Sequence, residues 1–198
     1  MGQNMAFEHA QAKVRTHHMS YDFDQFVSEV RATLRRGSGA AELEDVRQRL
    51  AKLLANGEFV ERTCGAGAAG GLHRLHVDKE LGFEVLAHVN EKARRSPPHD
   101  HGESWAIYGQ AVGYTDMTEY RRGDDGRDPE QASLEQTRRY RLQPGEVGVF
   151  AGTAIHAIDY PDKSRFIRIT GTNLDAIDRI AYDEQSGRIK RMGPQRAT

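Results

Sequence analysis

The fold is constrained most by the long part of the chain after residue 71, where short strand-like segments follow one another with no helical pattern between them. These segments are rich in Val, Ile, Phe and Tyr, and turn-forming residues separate them. Short strands with frequent turns are typical of an antiparallel sandwich or barrel, so we predict a mainly β fold. The predicted strands cover residues 72–77, 83–89, 104–114, 135–142, 147–150, 154–158 and 166–171, followed by a hairpin of 179–182 and 188–190.

The part of the chain before this region has a helical pattern. Apolar residues recur at three- and four-residue spacing between residues 21 and 54, with a break at Gly37-Ser38-Gly39. This spacing predicts two amphipathic helices, the second of which is expected to stop near Asn56-Gly57. Residues 64–71 are rich in Gly and Ala and are predicted to form a loop.

The chain has 198 residues, a length that suits one domain with a substantial core. Residues 1–20 are polar and unpatterned, so we expect a flexible N-terminal segment there. The rest, residues 21–198, is expected to be one domain. It would consist of a helical lead-in over residues 21–56 and a β-barrel over about residues 72–192.

The composition excludes several classes of partner. A formal net charge of −1 gives no bulk attraction to nucleic acid or to an anionic membrane. Cys64 is the single cysteine, which rules out an intrachain disulfide framework and fits a reducing compartment. No apolar run is long enough to span a membrane or to serve as a signal peptide, and we expect a cytoplasmic protein.

Three of the nine histidines predict a metal site. His99 and His101 follow Pro98, which favours an extended backbone, and residues two apart on an extended segment point to the same side. His156 lies on a later predicted strand after the turn at Pro144-Gly145. Imidazoles that converge from two strands suit iron, nickel, copper or zinc, and a three-ligand site leaves coordination positions open. The remaining histidines are predicted to be structural or to lie in the N-terminal segment: His9, His17, His18, His73, His76 and His88.

The two histidine segments resemble the paired motifs of the cupin family, and within it the cysteine dioxygenase type of thiol dioxygenase. The first motif maps to His99, His101, Ala106 and Gly113, and the second to Gly145, Ala151, Thr153 and His156. Ala106 stands where most cupins have a metal-binding glutamate, which cysteine dioxygenases also lack. The resemblance therefore implies a cupin double-stranded β-helix barrel with two N-terminal helices. It also implies a three-histidine Fe(II) site that uses O2, with zinc or nickel as alternatives in the purified protein.

The resemblance also assigns two substrate-binding residues. Arg74 aligns with the arginine that pairs with the substrate carboxylate in cysteine dioxygenases. Phe166, Arg168 and Thr170 align with that family's Ser-x-His-x-Tyr segment, and none of its three residues is retained. Arg168 would bring a permanent cation and a planar donor fork to the place of a histidine. This difference implies another substrate, one with a second anionic group, and leaves thiol oxidation open.

Three functions follow as hypotheses. The leading one is a non-haem iron dioxygenase acting on a small carboxylated substrate, favoured to be a thiol that becomes a sulfinic acid. The second is a three-histidine cupin that cleaves a carbon–carbon bond of a diketone or a hydroxylated aromatic. The third is a non-oxidative metal-binding cupin. All three take a small-molecule substrate or ligand, and the first two take O2; no nucleic acid or membrane partner is expected. The sequence assigns no catalytic residue beyond the metal site and leaves the oligomeric state open.

Overall fold

The computed structural model describes residues 21–194. The predicted flexible segment 1–20, with His9, His17 and His18, therefore lies outside the described residues, as do residues 195–198. The helices are α1 (Phe23–Leu34), α2 (Ala40–Leu54) and α3 (Gly57–Cys64). The strands are β1 (Gly71–Val77), β2 (Glu84–Val89), β3 (Arg94–Arg95), β4 (Ala106–Val112), β5 (Thr115–Arg122), β6 (Leu134–Leu142), β7 (Val147–Phe150), β8 (Ile155–Tyr160), β9 (Arg165–Thr170), β10 (Arg179–Tyr182) and β11 (Ile189–Met192).

The predicted helical lead-in is present, but it contains three helices and not the two that were expected. Asn56 marks the end of α2 as expected, yet its side-chain oxygen also accepts hydrogen bonds from the backbone N–H groups of Glu58 and Phe59. An asparagine in this position caps the start of a helix by satisfying N–H groups that have no partner within the helix. Residues 57–64 therefore continue as α3, which buries Phe59 and Cys64.

Two strands were not predicted from the sequence. The expected strand over residues 104–114 ends at Val112, and the chain reverses at Gly113, whose φ of +73° favours glycine. It then returns as β5, whose charged and polar residues gave only a weak strand pattern. The other strand, β3, has two residues and pairs with the end of β8, which is too short for a sequence pattern to reveal.

The strands form a jelly roll. Four strands in the order β2-β9-β4-β7 belong to one sheet, which β1 extends at the β2 edge, and the order β3-β8-β5-β6 makes the other. All these pairs are antiparallel. Side chains of both sheets share one core cluster, in which Tyr108 and Phe166 meet Met117 and Tyr160. Eight strands in this double-sheet order define the double-stranded β-helix, so the predicted fold class is confirmed.

The two faces of the five-stranded sheet carry different side chains because residues alternate sides along a strand. On β9, Ile167 and Ile169 pack outward against the helical layer, and Phe166 belongs to the barrel interior. Helix α2 lies directly over β4, where a Cβ at Gly109 would come within 2.7 Å of Leu50 Cδ2. The helices therefore add a hydrophobic core outside the barrel to the largely aromatic cluster inside it.

Polar contacts fasten the helices to the barrel. Asp78, in the turn between β1 and β2, is buried and accepts a hydrogen bond from Arg31 of α1 at 2.6 Å. Arg165 at the start of β9 donates to the carbonyl oxygens of Cys64 and Gly65, where α3 ends. These bonds satisfy buried charges and a helix terminus at the same time. No helix within residues 21–194 is long and apolar enough to cross a membrane.

The helical layer should supply much of the stability. Replacement of the fully buried Leu50 by alanine is expected to lower the free energy of unfolding by about 2–5 kcal/mol, because it leaves a cavity above Gly109. The same change at Leu72, which is 57% exposed, should alter it by less than about 0.5 kcal/mol. Urea denaturation of both variants measures the difference. Equal effects would contradict the packing described.

Candidate metal centre

Backbone pairing holds the two histidine segments against each other. His99 donates its backbone N–H to the carbonyl oxygen of His156 at 2.8 Å and accepts the N–H of His156 at 3.0 Å. On its other side, the same segment pairs with β10, where the N–H of Tyr182 bonds to the carbonyl oxygen of Pro98. His99 therefore lies between two strands, and its side chain is placed beside that of His156 by the antiparallel register.

The three predicted metal ligands converge on one point. One ring nitrogen of each of His99, His101 and His156 lies within 4.8 Å of the others. The Nε2 atoms of His101 and His156 are 3.4 Å apart. Two nitrogens that bind one ion at about 2.0–2.1 Å are separated by about 3–3.5 Å, so these two are spaced for a shared ion. Only one proton fits between such nitrogens, whereas a cation accepts both lone pairs.

The surroundings favour the neutral form of each imidazole, which is the form that binds a metal. Burial lowers the pKa of His101 to about 2 and the pKa of His156 well below its usual value. Burial also lowers the pKa of His99, and the nearby charges of Arg168 and Arg179 act in the same direction. Nδ1 of His99 lies 3.0 Å from the carbonyl oxygen of Pro97, and a proton donated there leaves Nε2 free as a ligand.

No carboxylate joins this cluster among the described residues. Ala106, at the place of the cupin glutamate, is fully buried and lies opposite Phe150 and Thr170 in the sheet. A divalent ion held here would keep its full positive charge, since all three protein donors are neutral. An anionic ligand would offset that charge.

A cavity of about 370 Å³ opens over the cluster, with His99 in its wall. Tyr108, Tyr160 and Phe166 provide aromatic walls, and the hydroxyl oxygen of Tyr108 lies 3.2 Å from Nε2 of His101. The cavity lies between the inner faces of the two sheets, and residues of the β10-β11 hairpin close one side. Its size suits a small molecule, because ligand pockets span about 300–1,000 Å³.

The structure separates the two arginines that the resemblance assigned to substrate binding. Arg168 lies in the cavity wall, on the inner face of β9 between Leu86 and Tyr108 in register. Arg74 lies on β1 with a half-exposed side chain and forms an ion pair with Glu84, whose Oε1 is 3.3 Å from Nε of Arg74. Of the two arginines, only Arg168 is among the residues that line the cavity beside the histidine cluster.

The cavity contains functional candidates that the sequence did not single out. His88, interpreted there as structural, lines the cavity and stacks on Phe166 at 4.5 Å between ring centroids. Arg179 and Lys190 also line it, from the C-terminal hairpin. The alternation of β2 could have placed His88 on the inner face with Leu86. Nothing in the sequence indicated that the hairpin would fold back over the barrel opening.

Comparisons with known proteins find similar solved structures at low identity and identify no function. No protein-family model matches the chain, and no curated protein is significantly similar to it. Solved structures with a similar fold include the cupin domain of Schizosaccharomyces pombe Cnp3, with 10% identity over 56% of this chain and 68% of that one, at a TM-score of 0.41. Others are a cupin superfamily protein from Desulfitobacterium hafniense (14% identity, 54% and 83% covered, TM-score 0.37) and KdgF from Halomonas sp. (16%, 52% and 81%, 0.37).

These likenesses are weak, and no statement about function rests on them. The strand order itself defines the class: the chain has a cupin-type barrel with a three-histidine cluster, of which His99 lines the cavity. That arrangement can hold a metal ion.

Loss of one histidine should abolish metal binding. In His101→Ala, Fe(II) affinity is expected to fall more than about 100-fold, because removing even a group that merely orients a ligand costs about 10–100-fold. His73→Ala is the matched control, since His73 lies on β1 outside the cluster and bonds to the carbonyl oxygen of Ala69. Anaerobic titration of Fe(II) into each metal-free protein measures the effect. Unchanged affinity in His101→Ala would contradict the assignment.

The buried histidine His88 should make the metal-free protein sensitive to acid. Burial, together with the charges of Arg168 and Arg94, lowers the pKa of His88 to about 3. An unfolded histidine titrates near 6.5, so the stability contributed by neutral His88 is lost as the pH falls from about 6.5 towards 3.

The wild type should therefore lose more stability than His88→Gln between pH 7 and pH 5. The difference between the two proteins in the free energy of unfolding is expected to grow by at most about 1.4 kcal/mol per pH unit below 6.5. Urea unfolding at each pH measures it, and the other histidines contribute equally to both proteins. Parallel stability curves for the two would refute the prediction.

Proposed function

We propose that the protein is a mononuclear non-haem iron dioxygenase that acts with O2 on a small anionic substrate. The observation that carries the proposal is the convergence of three imidazoles, without a carboxylate, beside a cationic cavity that His99 lines. Fe(II) in such a site would supply open coordination positions at which an anionic substrate and O2 can bind together.

The protein's own part would be to hold the ligands and to orient the substrate. The backbone pair between His99 and His156 and the Pro97 carbonyl keep the imidazoles directed at one point. Arg168 and Arg179 would attract an anionic group and fix its orientation by charge-assisted hydrogen bonds. The aromatic walls would exclude water from the reacting atoms, which strengthens each of these interactions.

Tyr108 is the hydroxyl best placed to take part in the reaction. Its oxygen lies 3.2 Å from Nε2 of His101, and the side chain is buried between the metal cluster and Phe166. From this position it could donate a hydrogen bond to a ligand bound beside the histidines. It would therefore orient a substrate or oxygen atom at the metal, a role that the sequence did not indicate.

Two reactions fit this site, and the positions of three residues help to choose between them. A thiol dioxygenase of the cysteine dioxygenase type would use Arg74, which instead forms an ion pair with Glu84 outside the cavity. Phe166 and Arg168 occupy the cavity wall where that family has serine and histidine. These differences support a second candidate reaction, the cleavage of a carbon–carbon bond. Its substrate would be a diketone or a hydroxylated aromatic acid that could pack on the aromatic walls.

Oxygen consumption tests the proposal. Metal-free protein is loaded anaerobically with Fe(II) and then given O2 with carboxylated thiols, diketones and hydroxylated aromatic acids. At least one substrate should consume one O2 per substrate molecule, and mass spectrometry with labelled oxygen should find both atoms in one product or one atom in each of two fragments. A sulfinic acid identifies the first reaction, and two carbonyl fragments identify the second.

The control is His156→Ala, which should consume no O2 with any of these substrates. Equal turnover of a substrate by the zinc-loaded protein, or by the iron-loaded protein without O2, would overturn the proposal. Either result would identify a non-oxidative metal-dependent cupin instead.

A further inference from the structure

The charges around the cavity are one-sided. Four cationic side chains line it, from Arg94, Arg168, Arg179 and Lys190, and no Asp or Glu is among the lining residues. The whole chain has 28 basic and 29 acidic residues, so this separation is local. Most arginines of residues 21–194 form ion pairs within this range. Arg94 and Arg168 form none there, and neither does Lys190. The cavity therefore has an excess of positive charge that the described protein does not neutralise.

The first cationic group lies on the wall formed by the five-stranded sheet. Arg168 makes no side-chain hydrogen bond within residues 21–194, and its buried Nε has no partner. His88, on the adjacent strand β2, likewise has a buried Nε2 without a partner. Buried polar groups are costly unless they are satisfied. An anionic acceptor from outside would satisfy Nε of Arg168 and, when Nε2 of His88 carries the ring proton, would satisfy that atom as well.

The second cationic group lies on the opposite wall, formed by the β10-β11 hairpin. Arg179 and Lys190 both line the cavity, and Nε of Arg179 is buried without a partner. Its Nη2 lies 3.3 Å from Asp175, whose side chain is 80% exposed and therefore well solvated. A second anionic group could reach Arg179 without displacing a buried carboxylate.

The metal cluster adjoins this cavity through His99, which lines it together with Arg168 and Arg179. A divalent ion bound by the cluster would add further positive charge beside a region that already has an excess. Because the two cationic groups lie on different elements, a ligand with two anionic groups could contact both of them at once.

We infer that the cavity binds a small molecule with two anionic groups, one held by Arg168 and His88 and the other by Arg179 and Lys190. The ligand class is a dicarboxylate or a phosphorylated carboxylic acid of a size that fits about 370 Å³. Arg94 and Lys190, both exposed at the rim, attract it from solution. The inference deepens the proposed function by naming its substrate class, but the anion site itself needs no metal.

Anion binding by the metal-free full-length protein tests the inference. Isothermal titration calorimetry is carried out with malonate, succinate and phosphoglycolate, and with propionate, butyrate and glycolate as their monoanionic partners. At least one dianion should bind about tenfold or more tightly than its partner, as expected for one additional charge-assisted contact. The dianion that binds most tightly of these three shows whether the second anionic group is a carboxylate or a phosphate. The absence of any such preference would overturn the inference.

Variants in each of the two walls test whether these walls cause the preference for dianions. Arg168→Gln should remove the advantage of the dianion, and Arg168→Lys should restore part of it, because charge returns without the planar fork. The matched control is Arg95→Gln, next to Arg94 on β3, whose guanidinium pairs with Glu184 outside this cavity. If Arg168→Gln does not fold, Arg179→Gln from the opposite wall serves the same purpose. Retention of the full preference in a folded Arg168 or Arg179 variant would refute the assignment.

The two proposals fail separately. A protein that binds dianions but consumes no O2 keeps this site and loses the dioxygenase function. A protein that oxidises monoanionic substrates as readily as dianionic ones keeps the function and loses this site.

Discussion

The site depends on one reciprocal pair of backbone hydrogen bonds, between His99 and His156. These residues are 57 positions apart in the chain, and each fixes the other through its own N–H and C=O. Because side chains of directly opposed residues lie on the same face, this pairing alone brings two imidazoles together. His101 then joins them because it follows His99 by two residues on the same segment. The rest of the barrel serves to keep this register, since a shift by one residue would turn one imidazole away.

The same strands separate stability from chemistry. On β2, β4 and β9, one set of alternate residues is apolar and meets the helices, which close the core outside the barrel. The other set carries His88, Tyr108 and Arg168 inward. The helical layer adds a second core to the apolar cluster within the barrel, so part of the interior can hold polar groups that face the cavity.

Much of the fold was predictable because strands and helices have different apolar periods. The errors have physical causes: Asn56 ends one helix and caps another, and β5 is too polar to show a clear pattern. For the site, the histidine spacing pointed to the cluster, because His-x-His and a later histidine have few ways to meet other than through strand pairing. The cavity walls were harder. Arg179 and Lys190 reach the site through the placement of a distant hairpin, and the ion pair of Arg74 with Glu84 belongs to no motif.

The hairpin β10-β11 also implies an order of assembly. All three imidazoles belong to the chain up to residue 156, whereas Arg179 and Lys190 follow it. During synthesis, the imidazoles therefore leave the ribosome before the wall that carries the second group of charges. The proposed metal ligands and the hairpin residues of the proposed anion site thus belong to an earlier and a later part of the polypeptide. Substitutions at Arg179 or Lys190 can therefore change ligand selection, provided that the backbone bond between β10 and Pro98, which holds the segment of His99, is kept.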